Sequence, residues 1–265
     1  MRNKLSFGSL CLALMAGFAL TSCSQNQENG ETGVSTLSLR LNAPSGDFAT
    51  RALNETDYRT LANYTVNISS VEDGKVVAGP YKGNELPNSI VLPYGSYTVS
   101  ASCGKEVAAS RDEFLSKGEE TVYLGSGEEK SVTVNCAPTC GKCVVKFDAE
   151  MATYFDDYKV EYSTEALGGS VVTWAKSDVD PWYLLVNKNG ETVKATIRLT
   201  AKETYKVSGE GVIEKTYELK PNKSWTLNIK PNHIETTGTL GITITIDEST
   251  NDHDVDVIIP ADWIK

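Results

Sequence analysis

Four cysteines offer the richest chemistry in the folded part of this chain: Cys103, Cys136, Cys140 and Cys143. Four thiolates suit a tetrahedral Zn²⁺ site, and Cys140-Gly141-Lys142-Cys143 has the two-residue gap of a zinc turn. The same gap occurs in redox motifs, but those open a helix in an α/β fold, whereas the pattern here is β. Export permits two disulfides instead, and four thiols allow three pairings. Disulfides, free or mixed thiols, zinc and a redox pair all stay open on the residues alone. The only histidines are His233 and His253. Without a Gly-x-Ser-x-Gly, a His-Glu-x-x-His or a Gly-rich phosphate loop, both are expected in surface loops. Segment 247–256 (DESTNDHDVD) could offer oxygens to Ca²⁺, but it lacks the bend glycine and terminal Glu of an EF-hand. An acidic hairpin loop is expected there. Trp174 and Trp225 fall at strand positions and are expected in a core. Trp182 and Tyr183 follow Asp180-Pro181 and form the candidate glycan-stacking pair, with Trp263 a further ring for such a platform. No catalytic residue, metal site or cofactor is expected.

Cys23 poses a different question. Arg2 and Lys4 precede an apolar run at 10–20, and the run ends in Leu20-Thr21-Ser22-Cys23. Residues 1–22 read as a signal peptide, too short to span a membrane with a stop-transfer flank. The tetrad resembles the lipobox of bacterial lipoproteins. That resemblance implies acylation of the Cys23 thiol, cleavage before it, and a further acyl chain on the new amino terminus. Each buried methylene contributes about 0.8 kcal/mol, so several chains, palmitate among them, anchor stably. Residues 23–35 (CSQNQENGETGVS) are polar and without apolar period, and they read as a flexible tether. The expected location is the outer membrane, on the cell surface, with the periplasmic face left open.

The charge balance narrows the partners. The chain has 25 Lys and Arg against 35 Asp and Glu, and losing Arg2 and Lys4 with the signal peptide moves the net charge from −10 to −12. Nucleic acid would need a basic face and is excluded as a partner. The membrane contact is expected through the acyl anchor.

The elements behind these residues alternate with period two. Residues 37–41, 64–68, 90–92, 97–101, 121–124 and 131–136 read as strands, with Asp73-Gly74 and Pro93-Tyr94-Gly95 as turns. A break at 137–141 is followed by strands at 143–147, 158–162, 171–174, 182–186, 193–199, 205–207, 216–219, 225–229, 240–246 and 254–260. Asn189-Gly190 gives the strongest hairpin signal. In 240–246 the threonines are expected to face outward. Helical period is confined to 49–61 and 112–116. The spacing indicates an all-β chain of two tandem immunoglobulin- or transthyretin-like sandwich domains, 36–137 and 141–265, behind the signal peptide and tether.

Several stretches carry a resemblance to a family of surface lipoproteins catalogued as domain of unknown function 4493. They are Thr36-Leu-Ser-Leu-Arg-Leu41, Thr50-Arg51-Ala52, 64–68 (YTVNI), Val91-Leu-Pro-Tyr-Gly-Ser-Tyr-Thr-Val-Ser-Ala101, Val132-Thr-Val-Asn-Cys136 and Tyr154-Phe-Asp-Asp-Tyr-Lys-Val160. The likeness spans roughly residues 36–230 and is similar to that of the fimbrillins. It implies a non-enzymatic structural or adhesive component, with other pilus or surface subunits as partners. In fimbrillins an early strand is removed by cleavage after an Arg, and Arg51-Ala52 stands at the matching place. The alternative is that 37–41 is a permanent strand. A surface glycan-binding lipoprotein is the second functional expectation.

Overall fold

Alternation sets the first strand, β1 (Val34–Asn42). It buries Leu37 and Leu41 and turns Ser38 and Arg40 away from the core. The computed structural model describes residues 33–43, 55–205, 211–234, 239–248 and 257–259. Cys23, the tether up to residue 32, Arg51, Ala52, His253 and Trp263 lie outside the described residues.

The strands that follow are β2 (Thr65–Ser70), β3 (Val76–Lys82), β4 (Ile90–Pro93), β5 (Gly95–Gly104), β6 (Ala109–Ser110), β7 (Leu115–Leu124), β8 (Glu129–Asn135) and β9 (Ala137–Pro138). Sheet I has the order β4-β1-β8, and sheet II the order β3-β2-β5-β7-β9. Between them lies a core that includes Leu37, Tyr64, Val66, Ile68, Val99 and Leu124. The β2–β3 connection is the hairpin that Asp73-Gly74 promised, and Gly74 takes φ +69°, where a side chain would be strained.

The remaining strands are β10 (Cys140–Phe147), β11 (Phe155–Ser163), β12 (Val172–Ala175), β13 (Trp182–Leu185), β14 (Glu191–Ala201), β15 (Gly211–Leu219), β16 (Ser224–Ile234), β17 (Thr239–Glu248) and β18 (Val257–Ile259). Sheet III runs β18-β17-β16-β10-β13-β6, and sheet IV β12-β11-β14-β15. Their shared core is centred on Trp174, Tyr162, Val160, Ile197 and Leu227. The chain is thus all-β and sandwich-like.

The two pairs of sheets repeat one topology. β1 pairs parallel with β8 and antiparallel with β4. β10 does the same with β16 and β13. The order β3-β2-β5-β7 has its counterpart in β12-β11-β14-β15. The second copy adds β17 and β18 beyond β16, and β6 from the first half pairs with β13 in sheet III.

Three expectations are corrected. Asn189-Gly190 does not close a hairpin: β13 belongs to sheet III and β14 to sheet IV, so the turn carries the chain from one layer to the other. Both flanking strands are apolar on an inner face, which a hairpin and a crossing between layers produce alike. Residues 112–116 form no helix, because the chain runs into β7 there. Tyr205 lies in a turn after β14, its N–H donating to the Lys202 carbonyl, rather than in a strand, and 206–207 lie outside the described residues. The helical turn expected within 49–61 is present as the 3₁₀ turn Glu55–Tyr58. Thr243 faces away from the core, alternating with the core residues Ile242 and Ile244 as expected, yet it is buried rather than solvent-exposed.

The alternation in β1 is testable. Leu37→Ala should cost about 2–5 kcal/mol through the cavity it leaves. Arg40→Ala, on the opposite face, should stay within about 0.5 kcal/mol. Urea midpoints of both variants against the parent give the comparison.

Candidate functional site

The four thiols are free in this structure and are divided among different clusters. Cys136 belongs to the first core, where its Sγ lies 3.8 Å from the Ala101 carbonyl. Cys143 belongs to the second core. Cys140 joins Tyr58, Phe114 and Tyr183, and Cys103 packs against both this group and the first core. Cys140 and Cys143 are three residues apart on β10, and successive strand residues point to opposite faces. The Cys-x-x-Cys pair is therefore split across the sheet, and the four thiols make no single metal cage. Among the described residues no group of three His, Cys, Asp or Glu side chains gathers for a metal. Burial raises every one of these thiols above its usual value of 9.0, Cys136 and Cys143 to about 12. They are poor nucleophiles in the folded chain.

The aromatic pair also resolves differently from its glycan-stacking expectation. Tyr183 is 1% exposed, and its hydroxyl donates to Glu55 Oε1 at 2.6 Å. Trp182 is half-buried, with the Arg111 guanidinium 4.6 Å over its ring. Neighbouring residues on β13 face opposite ways, so the two rings form no exposed platform. His233 lies on β16 with its ring 5.3 Å from that of Tyr154 and 5.5 Å from that of Tyr205, rather than in a loop. Of segment 247–256, only the backbone of Asp247 and Glu248 is described, at the end of β17.

What the fold assembles instead is a polar junction between its halves. Lys142 on β10 is paired across the ladder with Tyr183 on β13, so both side chains leave the same face of sheet III. There they meet Glu55 from the 3₁₀ turn Glu55–Tyr58. Lys142 Nζ donates to Glu55 Oε1 at 2.8 Å, with 1% and 6% of the two side chains exposed. Among the described residues Glu55 Oε2 has no hydrogen-bond partner. Desolvation lowers the Lys142 pKa, and the bond to Glu55 works against that shift. An aromatic stack encloses the pair: Tyr58 lies on Phe114 at 3.8 Å, and Phe114 is 5.0 Å from Tyr183. The Tyr58 hydroxyl accepts from the Phe114 N–H, and the Tyr64 hydroxyl donates to the Tyr58 carbonyl at 2.7 Å. A second clamp lies nearer the surface. Arg111, just after β6, forks onto Asp178 and also donates to the Asp180 and Thr173 carbonyls.

Sequence reasoning missed Glu55, Lys142 and Arg111. A lone Lys between two cysteines and a Glu in a polar loop carry no mutual signal when 87 residues separate them. Among the described residues the ion pair is almost fully buried, and its chemistry is that of a structural lock.

The family match reaches most of the chain: the model for a domain of unknown function, DUF4493, covers residues 31–261. The chain belongs to this family. Among curated protein sequences none matches it. Solved structures with a similar arrangement include a protein from Bacteroides eggerthii named for cell adhesion, 13% identical, covering 82% of this chain and 95% of its own, with a TM-score of 0.43. A fimbrial assembly protein from Parabacteroides distasonis is 13% identical, covering 85% and 98%, at 0.40. A fimbrial anchor protein from Porphyromonas gingivalis is 14% identical, covering 84% and 99%, at 0.37.

Removing one partner of the lock should be costly. Lys142→Met leaves the Glu55 carboxylate buried alone and should cost about 3–5 kcal/mol, whereas Lys142→Met with Glu55→Leu should recover most of that loss. Urea unfolding of the single and double variants checks both.

Thiol burial gives a pH prediction as well. Cys136 and Cys143 hold their protons to about 12 in the folded chain but to 9.0 unfolded. Their contribution to stability is complete below pH 9 and is lost as pH rises toward 12. Urea midpoints should fall across that window, and Cys143→Ala should flatten the slope.

Proposed function

We propose that this chain is a non-enzymatic, lipid-anchored protein of the cell envelope. Cys23 holds it at the outer membrane, and its two sandwich domains, 36–137 and 141–265, act as a structural or adhesive component beside other pilus or surface subunits. The observation that supports this most is the place of β1. The first strand after the tether pairs on both edges, with β4 from Val34 to Leu37 and with β8 from Thr36 to Asn42. A pull arriving from Cys23 runs along β1 and loads both ladders in shear, many hydrogen bonds at once. That is a sound attachment for a protein that bears force. The glycan-capture alternative has no stacking platform at Trp182 and Tyr183, since Tyr183 is buried.

The same placement favours a second reading. Cleavage between Arg51 and Ala52 would release the segment that holds β1. Sheet I would then open between β4 and β8, and a strand from another subunit could fill the gap by β-augmentation. The two readings differ at the amino terminus of the protein in native membranes. Anchoring predicts a mature chain starting at an acylated Cys23, with β1 retained. A start at Ala52 would replace it with strand exchange, and an unacylated start in the soluble fraction would overturn the anchor altogether. Intact mass of the protein in the membrane and soluble fractions distinguishes all three.

A further inference from the structure

One end of the first sandwich combines a group of exposed large apolar side chains with the point where the chain arrives. Strand directions define it. β1 begins there at Val34, β2 ends there at Ser70, β5 leaves the Pro93-Tyr94-Gly95 turn there, and β7 returns there at Leu124. The opposite end holds Gly104, Leu115 and Pro138, beside the junction with the second half. At the first end Val34 is 60% exposed, Val91 63%, Tyr123 59%, Val71 51% and Tyr94 43%. Hydrogen bonds tie these residues to one pole. The Tyr94 N–H donates to the Gly33 carbonyl, the Gly127 N–H to the Val34 carbonyl, and the Val71 N–H to the Ser96 carbonyl, while Ser96 pairs with Tyr123. Gly33 passes so close to Ser126 that an added Cβ would sit 1.7 Å from its Oγ. The point of arrival is therefore fixed by the fold.

We infer that this pole is a membrane-docking surface for zwitterionic phospholipid headgroups; the inference rests on the anchoring of Cys23 proposed above. Three observations carry it. The first is reach: Gly33 is ten steps along the chain from Cys23, at most about 35 Å when extended and about 17 Å on average for a flexible chain. An anchored chain holds this pole near the bilayer at a high effective concentration, where weak contacts suffice. The second is residue type. Two tyrosines with apolar rings and polar tips, set among β-branched aliphatics, suit the headgroup level. The third is charge. Glu72, Asp73, Glu128 and Glu129 surround the patch, with Lys75 bridged to Asp73 and Lys130 to Glu128. That acidic excess disfavours anionic lipid and leaves neutral, zwitterionic headgroups as the matching surface. The second half of the chain would then project away from the bilayer.

Site-specific photocrosslinking tests this in the full lipidated chain in native membranes. A benzophenone amino acid replaces Tyr94, Tyr123 or, as a control in the second half, the exposed Val179. Lipid adducts are expected at Tyr94 and Tyr123 at about tenfold the yield at Val179, because docking adds to the tether's effective concentration. Equal yields at the three positions, or protein adducts alone at Tyr94 and Tyr123, would overturn the docking surface. The intact mass of the same samples reports acylation of Cys23. Acylated protein without enriched lipid adducts defeats the docking inference alone, while unacylated protein defeats the anchor reading on which it rests.

Discussion

An ammonium group in an apolar junction must be matched by an anion, and this requirement organises the chain. Lys142 is nearly inaccessible on the outer face of sheet III, so Glu55 has to come to it from the other half. Once there, Glu55 also receives the Tyr183 hydroxyl, and the aromatic stack of Tyr58, Phe114 and Tyr183 excludes water. Such a pair adds little net energy compared with a well-packed apolar substitute. What it supplies is specificity. A different docking of the two halves would strand a buried charge, so a single relative placement is selected.

The repeated topology places this lock within a larger plan. Each half opens with a strand inserted between an antiparallel and a parallel neighbour, and each closes its sandwich with a four-strand series in the second layer. The halves differ where they meet or end. β6 leaves the first half to extend sheet III, and β17 and β18 extend that sheet on its other side. Arg111, directly after β6, clamps onto Asp178 and Asp180 and fastens the crossing. The junction therefore combines backbone pairing, a buried ion pair and a more exposed guanidinium fork.

Much of this architecture was legible in the sequence, and the illegible parts share a cause. Strands with clear alternation, such as β1, β5 and β17, were found because period two is a local property. The hairpin at Asp73-Gly74 was legible for the same reason. Asn189-Gly190 misled because a tight turn reports a reversal of the chain and not whether the two strands pair. β6 and β9 escaped notice because each is two residues long and each exists through a partner distant in the chain. The lock was invisible for this reason too: Lys142 reads as a surface lysine until Tyr183 and Glu55 are placed beside it. Cys140 and Cys143 suggested a shared site by spacing alone, and strand geometry divided them.

The pairing of β1 with β8 has a consequence in time. Thr36 lies opposite Glu129, and everything between them must be synthesised before that ladder can close. A chain emerging amino terminus first presents β1 early and completes its setting late, and contacts of such long sequence separation fold slowly. During that interval β1 is an unpaired strand edge. The first strand to be made is thus among the last to be secured. The order of synthesis, rather than the finished structure, decides how long it stays available to another chain.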